Sequence, residues 1–436
     1  MPLYGNETNT TGIIIRNNPS ISDYVPIIQQ AIDIVASKGG GSVQLDYGRY
    51  PVGNPSLPVS QRSIVMKANT KLVGTGAGSE LFTNNNVNTH VIGKDQTPNV
   101  CHRVQLQDFL ITGNRLNQTQ NNTSSPAHGI YLFQKNSGVA GNLDHYHNIQ
   151  NVTIEDCQGY GIFMSGAGSG VDFFNIRTVK IQKVVIRRCI RAGMYLHLVS
   201  DSAIDNCTIA SCRRAGVHLL GTGNLNFTNC KTFYNCVLDS GLGDILLESA
   251  NRTTFVGCEA QESYGDGILL RNATRDVILQ GCRLDANGTA PLEFGGSRNG
   301  ANNLPRKSGI RAVNSSQIKM TGCCTTDFHG AAAPGGDLRY SWQRCGVTLD
   351  NCSDVEIDFQ SFYQFDRNYE LLNMPNLEQR NIRVAVNGVQ QSLMLLPAPA
   401  TPTSPGRQGE TRVVGGFVYY CVADNSWLRS ALSTWT

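Results

Sequence analysis

Asn151-Val152-Thr153-Ile154-Glu155-Asp156-Cys157 is the first clear copy of a phrase that recurs through residues 149–287. It returns as Lys183-Val184-Val185-Ile186-Arg187-Arg188-Cys189 and as Asn206-Cys207-Thr208-Ile209-Ala210-Ser211-Cys212. A fourth copy, running from Asn229-Cys230 through Phe233 to Cys236, fits with one extra residue. Gly257-Cys258, Gly281-Cys282 and Gly322-Cys323 continue the phase. Most copies are followed by a short glycine-led apolar run: Gly161-Ile162-Phe163-Met164, Gly193-Met194-Tyr195-Leu196, Gly216-Val217-His218-Leu219 and Gly267-Ile268-Leu269-Leu270. Where no insertion intervenes these glycines recur about every two dozen residues, the spacing of a stacked repeat whose units bury their apolar faces against one another.

Within each unit the apolar period is two, as in Val152-x-Ile154 and Val277-x-Leu279, which reads as strand. Short strands with Asn or Gly at the corners and no helix between them predict an all-β, single-stranded parallel β-helix, with equivalent residues stacked about 4.8 Å apart. A sandwich of hairpins would not return the same side chain at the same phase. The cysteines support the stack. Cys207, Cys230, Cys258, Cys282 and Cys323 share one repeat position, and Cys157, Cys189, Cys212 and Cys236 share another. Two ladders of buried, reduced thiols are expected rather than a disulfide framework.

A solenoid of this kind takes most of the 436 residues as one long domain. The formal net charge of +3 supplies no electrostatic case for nucleic acid or a membrane surface. No apolar run approaches the length of a membrane span. Met1–Arg16 lacks a basic segment followed by an apolar core, so no export signal is expected.

In chain order, residues 1–24 read as an N-terminal arm and 25–63 as a capping helix with the first strands. Ile27, Ile28, Ala31, Ile32 and Val35 form one apolar helix face, Asp23 or Ser22 caps it, and Gly39-Gly40-Gly41 stops it. Coils follow over 64–374, interrupted by insertions at 114–127, 136–147, 165–177, 288–307 and 329–344 that are rich in Gly, Asn and Ser. Residues 375–405 are a linker that ends in the stiff run from Pro397 to Pro405, and 406–436 form a small C-terminal β module.

Two stretches carry a resemblance. The run from Ile27 to Asp33, then Gly39-Gly40-Gly41-Ser42-Val43 and Gly48-Arg49-Tyr50, resembles the N-terminal cap of pectin-lyase-like right-handed β-helices. Lys71-Leu72-Val73-Gly74-Thr75-Gly76 resembles the first coil in that superfamily. The closing stretch, with Phe417-Val418-Tyr419-Tyr420-Cys421 and Asn425-Ser426-Trp427-Leu428-Arg429, is similar to a module at the C-terminus of bacteriophage tail-fibre and tailspike proteins. The resemblance implies a virion tail protein that binds host surface polysaccharide, with depolymerase activity left open. It also implies assembly in the host cytoplasm, a homotrimer and contacts with other virion proteins. A non-catalytic structural virion component and a bacterial polysaccharide lyase or hydrolase are the alternatives.

No motif of the superfamily's enzymes is present. The Asn-Thr-Asp, Asp-Asp and Gly-His-Gly series of polygalacturonases and the calcium-binding acidic cluster of pectate lyases are both missing, and no metal or cofactor is expected. Alternation along the strands points one row outward: Tyr131, Phe163, Tyr195, His218, Leu246, Leu269 and Arg311. A second row holds Phe133, Ser165, His197, Leu220, Glu248, Arg271, Val313 and Asp350. Tyr195, His197, His218, Arg271 and Arg311 are therefore expected to bind sugar, with aromatic faces on the apolar side of pyranose rings. Burial of the same face between subunits is the other reading. The expected catalytic carboxylates are Asp244, Glu248 and Asp266, on coils close enough for the roughly 5 to 9.5 Å separations of glycoside hydrolysis. The alternative is ordinary cross-coil ion pairing, in the phase of Glu248 on Arg271 and Glu155 on Arg187.

Overall fold

The computed structural model describes residues 12–95, 101–119, 127–134, 144–166, 176–288, 307–329, 341–374, 380–391, 401–403, 411–414, 417–423 and 426–431. The five expected insertions fall largely outside these residues, as do 1–11, most of the proline-rich run and 432–436.

The chain winds as a right-handed parallel β-helix. One coil shows the rule. Strand Val199–Asp205 bends at Asn206 (φ 52°), strand Thr208–Ala210 bends at Ser211 (φ 56°), and strand Val217–Leu220 turns at Gly221 (φ 59°). The next coil lies on it in parallel register, with Ile204 on Phe227, Ile209 on Thr232 and Val217 on Ile245. Repetition builds an eleven-stranded sheet from the third segments and a 23-stranded sheet from the other two.

The residue that opens each copy of the repeated phrase stands at one bend. Asp108, Asn151, Lys183, Asn206, Asn229, Gly257, Gly281 and Gly322 all have φ between 50 and 61°. Left-handed backbone costs least for Gly and for Asn or Asp, so the bend selects the letter. The cysteine after it turns inward. Cys207, Cys230, Cys258 and Cys282 are buried free thiols, each 3.5–3.6 Å from a carbonyl of the preceding coil (Ile181, Ile204, Phe227 and Phe255). A small apolar side chain with a weak donor suits that corner. The second ladder is shorter than expected. Cys157, Cys189 and Cys212 are followed in phase by Asn235, whose Oδ1 accepts the Cys212 N–H at 2.8 Å, so Cys236 falls outside it and the fourth copy contains no extra residue. Thr232 and Asn235 simply replace the Ile and Cys of the pattern.

The helix Val25–Ser37 covers the first coil with Ile28, Ala31, Ile32 and Val35. Asp23 Oδ1 accepts both the Val25 N–H at 3.0 Å and the Gly53 N–H at 2.9 Å, which ties the helix start to the coil. Gly40 (φ 131°) ends the turn where a Cβ would come within 2.5 Å of the Asn69 carbonyl oxygen. Ahead of the helix, Gly12–Ile15 is already a strand, paired in parallel with Gly41–Leu45. Beyond Pro375, Ile382–Val386 adds another strand below Val355–Phe359 because Ile382, Val384 and Val386 alternate into the core. Thr411–Val414, Phe417–Ala423 and Ser426–Ala431 form a separate antiparallel sheet in which Cys421 and Trp427 are paired and buried.

Candidate functional site

The outer surface of the eleven-stranded sheet carries the two expected rows, and the register places them as stacked columns. Tyr131, Phe163, Tyr195, His218, Leu246, Leu269 and Arg311 follow one another, as do Phe133, Ser165, His197, Leu220, Glu248 and Arg271. The rings stack along the coil axis. Centroids are 4.8 Å apart for His90 and Tyr131, and 5.1 Å for both Tyr131 with Phe163 and Phe163 with Tyr195, with planes 19–23° from parallel. Their faces are therefore spent on one another, which differs from the expectation of rings laid open to pyranoses. Tyr131, Phe163 and Tyr195 are each partly buried.

At His218 the ladder turns, its ring standing 78° to that of Tyr195 at 5.0 Å. His218 Nε2 lies 2.6 Å from Glu248 Oε2, and the other carboxylate oxygen accepts Arg271 Nε at 2.8 Å and Asn272 Nδ2 at 3.0 Å. Burial lowers the His218 pKa, opposed by the Glu248 carboxylate beside it. A neutral His218 that donates through Nε2 leaves Nδ1 as an acceptor. One coil back, His197 Nδ1 is 2.9 Å from Ser165 Oγ, whose hydroxyl donates to the Gly166 carbonyl. That pattern makes Nδ1 the donor and Nε2 the free acceptor, and burial again lowers the pKa. Burial also pushes the Tyr195 hydroxyl up to about 12, so it stays a donor.

Tyr195, His197, His218, Glu248 and Arg271 thus occupy four successive coils, a strip of roughly 14 Å at strand spacing. Arg311 stands on the following coil and turns to Asp350 at 3.9 Å, away from Glu248. Asn272 carries no sequence signal of its own; it sits at a bend (φ 57°) and reaches Glu248 only through the turn.

Asp244 and Asp266 are not on this surface. Asp244 takes the place that Gly216 and Gly267 hold in the neighbouring coils, and its carboxyl is tucked inward. A Cβ on Gly216 would meet its Oδ1 at 2.7 Å, so the glycine makes the room. Asn235 Nδ2 donates to Oδ1 at 2.7 Å, Oδ2 has no hydrogen-bond partner among the described residues, and desolvation raises the pKa to about 7. Asp266, 2% exposed, accepts the Ser308 N–H at 2.7 Å, and burial raises its pKa too. Of the three expected carboxylates only Glu248 faces outward. Among the described residues no group of three or more His, Cys, Asp or Glu is arranged to hold a metal ion, and no helix is long and apolar enough to cross a membrane.

No curated protein sequence matches the chain. Among solved structures, the A-module of the mannuronan C-5 epimerase AlgE4 of Azotobacter vinelandii superposes with a TM-score of 0.56 at 16% identity, over 84% of this chain and 94% of that one. Tailspike protein 2 of an Escherichia coli bacteriophage gives 0.58 at 16% identity over 90% of this chain, which spans about half (47%) of the tailspike. DFA-IIIase of Arthrobacter chlorophenolicus gives 0.51 at 12% identity, over 86% and 89% of the two chains. Identities this low speak for the fold alone. The profile of the family described as right handed beta helix region matches residues 84–236 and, overlapping them, 169–333. With its strands stacked coil on coil and its cap resembling that of the pectin-lyase-like superfamily, the chain belongs to the right-handed parallel β-helix family.

Proposed function

We propose that the chain is a bacteriophage tailspike or tail-fibre protein that binds host surface polysaccharide along the outer face of the eleven-stranded sheet. The observation that carries the binding reading is the strip Tyr195–His197–His218–Glu248–Arg271, where donors, acceptors and both charges project from rigid strands. Polyhydroxylated chains are recognised by such rows of fixed hydrogen-bonding groups. The solved relatives support it: one is named as a tailspike and another as an epimerase of mannuronan.

For cleavage, the strip favours proton abstraction over two-carboxylate hydrolysis. Glu248 is flanked in its row by Leu220 and Arg271, so no second carboxylate stands on an adjoining coil of that row. Two neutral histidines offer acceptor nitrogens, Tyr195 offers a hydroxyl, and Arg271 offers the charge that would neutralise a uronate carboxylate. Incubation with a panel of bacterial capsular and lipopolysaccharides is the test. Retention with unsaturated, shortened products marks a lyase, and retention of intact polymer marks a non-catalytic receptor-binding protein. Failure to retain any polysaccharide on the panel would leave the structural virion component as the better reading.

The proposed oligomer is a parallel homotrimer, supported by exposed Tyr420, Val422 and Leu428 on a C-terminal sheet too small to be stable alone. Light scattering should give three times the mass of one chain; a stable monomer at micromolar concentration would remove this part of the proposal.

A further inference from the structure

The interior of the β-helix is largely apolar, and besides the Asn235–Asp244 pair it takes in a lysine and a second aspartate. Lys94 points into the core from the third strand segment of its coil. Met66 precedes it in register, and Leu132, Met164, Leu196, Leu219, Leu247 and Leu270 continue the same inward row. Across the interior, Asp144 holds a position that Ile176 and Val199 fill in the next coils. The two side chains are in direct contact, with 2% and 0% of their surfaces exposed. His147, fully buried, completes the group with Nε2 at 2.8 Å from Asp144 Oδ1. The Val104 N–H approaches His147 Nδ1 at 3.3 Å, which makes Nδ1 the acceptor and Nε2–H the donor to the carboxyl.

A buried ion pair gains little over an apolar pair of the same size, because both charges must leave water. Neighbouring coils place Leu, Met, Ile or Val at the same positions, so packing does not require the pair. Desolvation works to raise the Asp144 pKa, but the His147 and Lys94 contacts outweigh it and hold it below the ordinary value, so the carboxylate rests ionised and one proton shift from Nζ turns the contact into an amine against a carboxylic acid. That is the reactant pair for an amide.

We propose that Lys94 and Asp144 join as an intramolecular amide between Nζ and Cγ. One proton passes from Nζ to Oδ2 within the pair, and the freed lone pair attacks Cγ. The Nε2–H of His147 stabilises the negative charge that grows on Oδ1, the role of an oxyanion donor. The tetrahedral intermediate then collapses. Oδ2 leaves as water with two of the three Nζ protons, the third stays on the amide nitrogen, and Oδ1 becomes the carbonyl oxygen. No oxidant, metal or cofactor enters the balance. The bond would clamp residues 50 apart in sequence across the lumen, in the coils nearest the cap. His147 acts here as a positioning and polarising residue on a self-reaction, apart from the outer strip.

Intact-mass spectrometry of the full chain under denaturing, reducing conditions tests this directly. The expected mass is lighter than the sequence mass by one water. Trypsin should leave Lys94 uncut and its peptide joined to the peptide that carries Asp144. Lys94→Met, which repeats the side chain of Met66 and Met164 in the same row, should restore the full sequence mass. Should that variant not fold, fragmentation of the joined peptide from the wild-type chain decides alone, by placing the link at Lys94 and Asp144 or elsewhere. A wild-type chain at full sequence mass with Lys94 cleaved would overturn the proposal, as would a water deficit that persists in Lys94→Met.

Discussion

Arg271→Ala is expected to bind polysaccharide roughly 10- to 100-fold more weakly than the wild type, the loss of one charge-assisted hydrogen bond worth about 1.5–3 kcal/mol. Its thermal unfolding should hardly move. Arg271 is one third exposed and its pair with Glu248 is screened by solvent, while His218 and Asn272 continue to hold the carboxylate. The two readouts separate a binding residue from a purely structural one. Calorimetric titration with a retained polysaccharide from the panel, beside a melting curve, gives both. Unchanged affinity would move the proposed strip off the sugar path, and an equal loss of stability would return Arg271 to ordinary ion pairing.

Asp244→Asn should change stability in a pH-dependent way and leave sugar binding alone. The Asp244 pKa is raised from 3.8 to about 7 by burial. Between those values the folded chain keeps its proton while the unfolded chain has lost it, so unfolding free energy falls as pH rises. The decline is about 1.4 kcal/mol per pH unit and totals about 4 kcal/mol by neutral pH, beyond which it levels off. The amide cannot ionise and keeps an Oδ1 for the Asn235 donor. Urea midpoints for the variant should therefore gain on the wild type from pH 4 upward and level off above pH 7. A deficit that is constant across this range would mean that the carboxylate is not buried as a neutral group.

Much of the fold was legible because its constraints are local. The left-handed bends favour Asn, Asp or Gly, and those letters return at Asn151, Asn206, Asn229, Gly257 and Gly281, with Lys183 the exception. The cysteine ladder was legible for the same reason, up to Asn235, where a hydrogen-bonding amide replaces the thiol. Alternation also gave the outward rows correctly. The expected roles of Asp244 and Asp266 rested on the crowding of carboxylates on those coils, and the structure turns both inward. Ring orientation was equally hidden, since strand parity places Phe163 and Tyr195 outward but says nothing about their torsions. Lys94 and Asp144 meet only because two coils close the distance between residues far apart in sequence.

The measurement that bears most directly on the account is a crystal structure of the chain with a bound oligosaccharide drawn from a polysaccharide it retains. The sugar should lie over the eleven-stranded sheet, with hydrogen bonds to Tyr195, His197 or His218 and a charged group of the sugar at Arg271. An oligosaccharide seated on the 23-stranded sheet, or that face of the smaller sheet found packed between subunits, would contradict the proposed site and leave the fold as described.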